Sequence, residues 1–141
     1  MPLPKNPRNR KMFTLPKTER LCSKKQIEDL YLHGQRLWVF PYHVYWMRRD
    51  SDAATPPAQV LISVSKKRFH HAVDRNRVKR LTRECYRLHK PQLNDLLQQA
   101  GCSLTLSISY AHNEILDYST LFHKMDKILA KLEETLVESK K

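Results

Sequence analysis

The chain has 141 residues, with 26 Lys or Arg against 14 Asp or Glu and a formal net charge of +12. That length suits one compact domain with a modest core and leaves little room for two independent domains. The charge calls for an anionic partner surface, nucleic acid or an acidic membrane, and composition does not choose between them. No window approaches 18 apolar residues, and no charged-then-apolar start resembles a signal peptide, so a soluble, cytoplasmic protein is expected. Cys22, Cys85 and Cys102 are odd in number and lack C-x-x-C spacing. That argues against a disulfide framework or a zinc site and for reduced, mostly buried thiols.

Residues 1–12 contain three prolines and almost nothing apolar, and are expected to be a disordered basic arm. Phe13 to Leu21 reads as an extended lead-in. Ser23 with Gln26 three residues later forms a capping-box pattern, followed by Ile27, Leu30 and Tyr31 on one face and a stop at His33-Gly34. A short first helix is expected there. Strand formers dominate from Leu37 to Met47, read as one strand. Trp38, Phe40, Tyr42, Val44 and Trp46 form its apolar face, and Val39, Pro41, His43, Tyr45 and Met47 a mixed one.

A polar loop from Arg48 to Pro57 leads into a second strand, Ala58 to Val64, with Val60, Ile62 and Val64 inward. It delivers Lys66, Lys67 and Arg68 at its end. From Asp74 to Lys90 there is no Gly or Pro, and Pro91 follows as a stop; one helix is expected, with Asp74 the candidate N-cap. A second helical piece, roughly Gln92 to Ala100, should end at Gly101. Ser103 to Tyr110 alternates Leu104, Leu106, Ile108 and Tyr110 with Ser103, Thr105, Ser107 and Ser109, and its hydroxyl face is expected to be half exposed. Leu121, Phe122, Met125, Ile128, Leu129, Leu132 and Leu136 then mark a long amphipathic helix capped by Ser119 or Asp117.

The excess charge is concentrated. Residues 66 to 90 hold ten Lys or Arg against Asp74 and Glu84, and residues 1 to 20 hold six against Glu19. At about 100° per residue, Val78, Leu81, Cys85 and Leu88 form one apolar stripe of the basic helix. Asn76, Arg80, Arg83 and Arg87 project from nearly the opposite side, with Arg75 and Lys79 on a flank. Guanidinium groups suit phosphate oxygens, and a merely solvated face would mix in more Glu. Crowding so many like charges is costly unless a polyanion neutralises them.

From the residues alone an enzyme is a poor reading. The chain has no Gly-rich phosphate loop, no H-E-x-x-H, no G-x-S-x-G and no acidic cluster suited to two Mg²⁺ ions. An RNA-binding module fits better. A non-enzymatic ribosomal or assembly protein is the alternative, and a peripheral membrane protein a weaker third.

The string Ser65-Lys66-Lys67, Ala72-Val73, Arg75-Asn76-Arg77-Val78-Lys79-Arg80-Leu81, Arg83-Glu84 and Arg87 resembles the signature of the bacterial ribonuclease P protein family. Weaker likeness extends over roughly Phe13 to Leu136. The resemblance implies an α+β fold: a small, mainly antiparallel sheet with helices packed on it, in αβββαβα-like order, ribosomal-protein-like, with an unusual-handed crossover. It implies one domain over 13–137 between the basic arm 1–12 and a charged tail 138–141.

It also implies a protein subunit that meets a catalytic RNA and precursor tRNA, with no membrane and no required protein partner. Hydrolysis would be done by the RNA, with Mg²⁺ held mainly by RNA and substrate, and no catalytic residue in the protein. Lys66, Lys67, Arg68, Arg75, Asn76, Arg77, Lys79, Arg80, Arg83 and Arg87 would contact RNA. Tyr31 and Tyr45 would line a cleft for the single-stranded 5′ leader, and Ile27 stands where the family carries Phe.

Overall fold

The computed structural model of the chain describes residues 19–21, 23–49 and 57–139, with side chains of the last helix followed to Leu136. The expected arm, most of the lead-in, Cys22, most of the loop after Arg49 and the last two residues lie outside the described residues. The element order is α1 (Lys24–His33), β1 (Gln35–Val39), β2 (Tyr42–Arg49), β3 (Ala58–Val64), α2 (Ala72–Ala100), β4 (Ser103–Tyr110) and α3 (Tyr118–Ser139). The αβββαβα order and the α+β class expected from the family resemblance therefore hold.

The four strands form one sheet in the order β1-β2-β4-β3. β1 with β2 and β2 with β4 are antiparallel, while β3 and β4 run parallel, joined by the α2 crossover. On one face Val44, Trp46, Val60, Leu106 and Ile108 join Val78, Cys85, Tyr86 and Leu93 of α2 and Leu121, Met125, Ile128 and Leu132 of α3 in a single core. The other face is met by α1, where the Tyr31 and Ser107 hydroxyls lie 2.8 Å apart. At the sheet's far edge the Leu21 N–H donates to the Val60 carbonyl at 2.8 Å.

Leu37 to Met47 is not one strand. The chain reverses at Phe40-Pro41, a cis peptide, and Val39 pairs with Tyr42 across the hairpin. Pro41 was the missed signal, since it has no N–H for a ladder. The reversal splits the expected apolar face: Tyr42, Val44 and Trp46 are buried, whereas Trp38 is 51% and Phe40 43% exposed.

The basic helix also differs from expectation. It starts at Ala72, with His71 at the N-cap and no side-chain cap bond, and Asp74 lies in its first turn, where a carboxylate favours the helix dipole. It does not stop at Pro91 but continues to Ala100. An interior proline costs about 3 kcal/mol. Burial on both sides of it, by Cys85, Tyr86, His89, Lys90, Leu93 and Leu97, offsets that cost. Its stripe is correspondingly rotated: Val78 and Cys85 are buried as expected, Thr82, Tyr86 and His89 join them, and Leu81 and Leu88 are only half-buried.

Gly101 ends α2 as expected, in the left-handed region at φ 68°, with its N–H directed to Gln98 and that of Cys102 to Leu97. Ser23 caps α1 by accepting from the Gln26 N–H at 3.3 Å. The β4 hydroxyl face is not half exposed: Ser103, Thr105 and Ser107 are buried. They are short side chains on a central strand, and their register partners Arg49, Met47, Gln59 and Tyr45 are longer.

Candidate nucleic-acid interface

The strand β3 ends in a turn that projects the basic run. The Arg68 and Phe69 N–H groups both donate to the Ser65 carbonyl, and Ser65 Oγ accepts from the Lys67 N–H at 3.1 Å. Phe69 is buried against the Tyr110 ring, centroids 6.0 Å apart, which anchors the loop from below. Lys66, Lys67 and Arg68 consequently stand exposed. Arg68 reaches sideways to Asn113 Oδ1 at 3.2 Å.

Along α2 the expected RNA-contacting residues fall into two groups. Asn76, Arg77, Arg80 and Arg83 are exposed, and among the described residues none of these three arginines makes an ion pair with a carboxylate. Arg75 is instead used internally, its guanidinium donating to the Phe69 and His70 carbonyls at 2.8 and 2.9 Å. Arg87 is folded onto Glu84. Lys79 is half-buried. The outward row is therefore Arg77, Arg80 and Arg83 with the loop lysines, while Arg75 holds the loop that carries them.

Lys90, counted in the same charge excess, faces inward. It pairs with Glu19 at 3.1 Å, the two side chains only 6% and 13% exposed. Cys85 sits under the helix, where burial pushes its thiol up to about 12, with Glu84 a second influence. A thiol so held is a packing group rather than a nucleophile.

Tyr31 and Tyr45 do come together. Their rings meet edge to face, centroids 4.8 Å apart. The Tyr31 hydroxyl is engaged with Ser107, so what Tyr31 presents is its ring. Arg36, which pairs with Tyr45 in register, places its guanidinium carbon 5.7 Å from that ring's centre. Ile27, one helical turn before Tyr31, is half-buried. Arg36 was missed because its cross-strand partner depends on the hairpin at Pro41.

Among the described residues no three His, Cys, Asp or Glu side chains are grouped so as to hold a metal ion. None of the described helices is long and apolar enough to cross a membrane. The fold and its two surfaces define a small α+β protein with an exposed arginine-bearing helix beside a basic turn, groups whose charge suits phosphate, and with aromatic rings where α1 meets the sheet.

The family model of ribonuclease P matches residues 15–133. The chain is 39% identical over 120 residues to the ribonuclease P protein component of Porphyromonas gingivalis, covering 85% of this chain and 87% of that one. It is 31% identical over 121 residues to that of Dictyoglomus thermophilum, covering 86% and 90%. Among solved structures it resembles the RNase P proteins of Staphylococcus aureus (TM-score 0.63, 19% identity, 81% and 94% covered) and Thermotoga maritima (TM-score 0.61, 19% identity, 80% and 96% covered). The chain belongs to the ribonuclease P protein family. It is thus the protein component of an endoribonuclease complex that acts in tRNA 5′ processing, with RNA as its partner, and the ribosomal or assembly alternative is not favoured.

Proposed function

We propose that this protein binds the catalytic RNA of ribonuclease P through its arginine row and basic turn, and the 5′ leader of precursor tRNA through the rings at the α1–sheet junction. Endonucleolytic removal of the leader is then carried out by the RNA subunit in the cytoplasm. Mg²⁺ bound there would supply charge neutralisation and water activation at the scissile phosphate. In this reading the ion's ligands are oxygens of the RNA and the substrate.

The protein's part is electrostatic and geometric. Arg77, Arg80 and Arg83 along one helix face, with Lys66, Lys67 and Arg68 on the turn beside it, replace condensed counterions on phosphates and lower the cost of bringing two polyanions together. Tyr31 and Tyr45 offer ring surface to unpaired bases, a contact with little sequence preference, which suits a leader that varies between substrates.

The observation that carries this reading is the meeting of Tyr31 and Tyr45, residues 14 positions apart in sequence, at 4.8 Å on the sheet face opposite the core helices. Replacing Tyr45 with Ala tests it. In the RNA–protein complex, affinity for precursor tRNA should fall about tenfold relative to leaderless tRNA. An equal loss for both substrates contradicts the leader assignment.

A further inference from the structure

The aromatic contact between Tyr31 and Tyr45 is the first link of a longer chain of rings. Tyr45 is followed by His43 (centroids 4.9 Å apart), His43 by Trp38 (6.0 Å), Trp38 by Phe40 (6.3 Å) and Phe40 by His112 (4.9 Å). The hairpin explains the order. Trp38 pairs with His43 across β1 and β2, two positions along from the Arg36 and Tyr45 pair on the same face. Consecutive rings are inclined by 53° to 75°. None is covered by parallel stacking on the next.

This track is exposed where a soluble sheet is usually covered: Trp38 at 51% and Phe40 at 43% are among the most exposed large apolar side chains of the described residues. Its surroundings favour an anion. The four strands carry no Asp or Glu, while β1 brings Arg36 on the same face as Trp38. Lys131 of α3 reaches the Trp38 carbonyl at 3.4 Å. At the far end His112 is followed by Asn113, the residue that holds Arg68 of the basic turn. The rings therefore run from α1 across the hairpin toward the turn bearing Lys66 and Lys67.

We propose that Trp38, Phe40, His43 and His112 form a second binding segment for single-stranded RNA, continuous with the Tyr31–Tyr45 junction, on which further unpaired nucleotides stack. The proposal rests on the leader reading of Tyr31 and Tyr45 and extends it to the nucleotides beyond. An unpaired strand is the occupant because it alone combines planar bases for the rings with phosphates for Arg36, Lys131 and the basic turn.

The test uses the chain's own reporter. It has two tryptophans, Trp38, which is exposed, and Trp46, which is 5% exposed in the core. The full-length protein is titrated with an oligouridylate of about ten nucleotides, within the usual span of a stacking platform. Tryptophan emission should be quenched saturably. Trp38→Ala should lower affinity about tenfold, and Trp38→Phe should keep the affinity while removing the quenching. In the RNA–protein complex, Trp38→Ala should reduce the preference for a long-leader over a short-leader precursor by a similar factor.

Unchanged oligouridylate affinity in Trp38→Ala overturns the proposal and leaves the rings as a surface for a protein partner. The two readings can fail separately. If Tyr45→Ala shows no leader dependence but Trp38→Ala weakens oligouridylate binding, the junction assignment falls and the track stands. The converse result removes the track alone.

Discussion

Gly34 fixes how α1 sits on the sheet, and Gly34→Ala should therefore damage both stability and leader recognition. Its backbone is extended, at φ −74° and ψ 162°, so an alanine is not strained by dihedral angle. The obstacle is space. A Cβ there would press into the Leu30 carbonyl oxygen, and would lie 2.9 Å from Leu30 Cδ1 and 3.1 Å from the Trp46 carbonyl oxygen. Two of these three neighbours are backbone, and Leu30 is fully buried. Relief requires α1 to lift from β2, at a cost of about 2 kcal/mol after the small entropic gain of replacing Gly.

For a domain of this size that cost lowers Tm by roughly 8 °C. Thermal unfolding followed by circular dichroism reads the shift. Because Tyr31 rides on α1, leader-dependent binding should weaken as well. Gly101 supplies the contrast: at φ 68° with no atom within 4 Å, it is strained by dihedral angle and not by contact. Gly101→Ala should cost about 1 kcal/mol, and Gly101→Asn less, because Asn tolerates the left-handed region. Gly34→Asn should be at least as harmful as Gly34→Ala. A Gly34→Ala protein as stable as the wild type would refute the close-approach argument.

Three other outcomes follow from the same geometry. Arg80→Ala or Arg83→Ala should weaken RNA binding and reduce the slope of log affinity against log salt by about 0.7 to 0.9 for each phosphate no longer neutralised; an unchanged slope would show that these side chains do not touch phosphate. Lys90→Met should destabilise the protein by about 3 kcal/mol by leaving Glu19 buried without its cation. Adding Glu19→Leu should recover most of that loss in denaturant unfolding, and failure to recover would mean the pair is not the cause. Cys85 should resist iodoacetamide at pH 8 in the native protein, since a rise to about 12 lowers its thiolate fraction about a thousandfold. Labelling at the unfolded-state rate without unfolding would contradict its burial.

Local patterns made much of the fold legible. Ser23 and Gln26, Gly101, the bounds of β4 and the periodicities of β3 and α3 each depend on neighbours in sequence, and each appears as read. The misreadings occurred where distant contacts decide. Pro91 stops an isolated helix, but here Leu93 and Leu97 continue the same buried face and hold the helix together across it. Pro41 lies in a run of strand formers whose parity is uniform only if no turn intervenes. The β4 hydroxyls looked like a wet face, yet a central strand is shaded by longer neighbours that alternation cannot reveal.

The candidate site divides along the same line. Asn76, Arg80 and Arg83 could be read from helical spacing because their exposure follows from the opposite stripe, whereas Arg77 entered only with the family resemblance. The internal roles of Arg75 and Arg87 could not, since each depends on a particular carbonyl or carboxylate in reach. The track through Trp38, Phe40, His43 and His112 was invisible because it exists only after the hairpin brings β1 beside β2 and β4 delivers His112.

The most direct measurement is cleavage of a precursor tRNA by a bacterial ribonuclease P RNA at low Mg²⁺, with and without this protein. A large stimulation, reduced by Arg80→Ala and by Tyr45→Ala for leader-bearing substrate, is the predicted result. Tight RNA binding without any gain in cleavage would contradict the account.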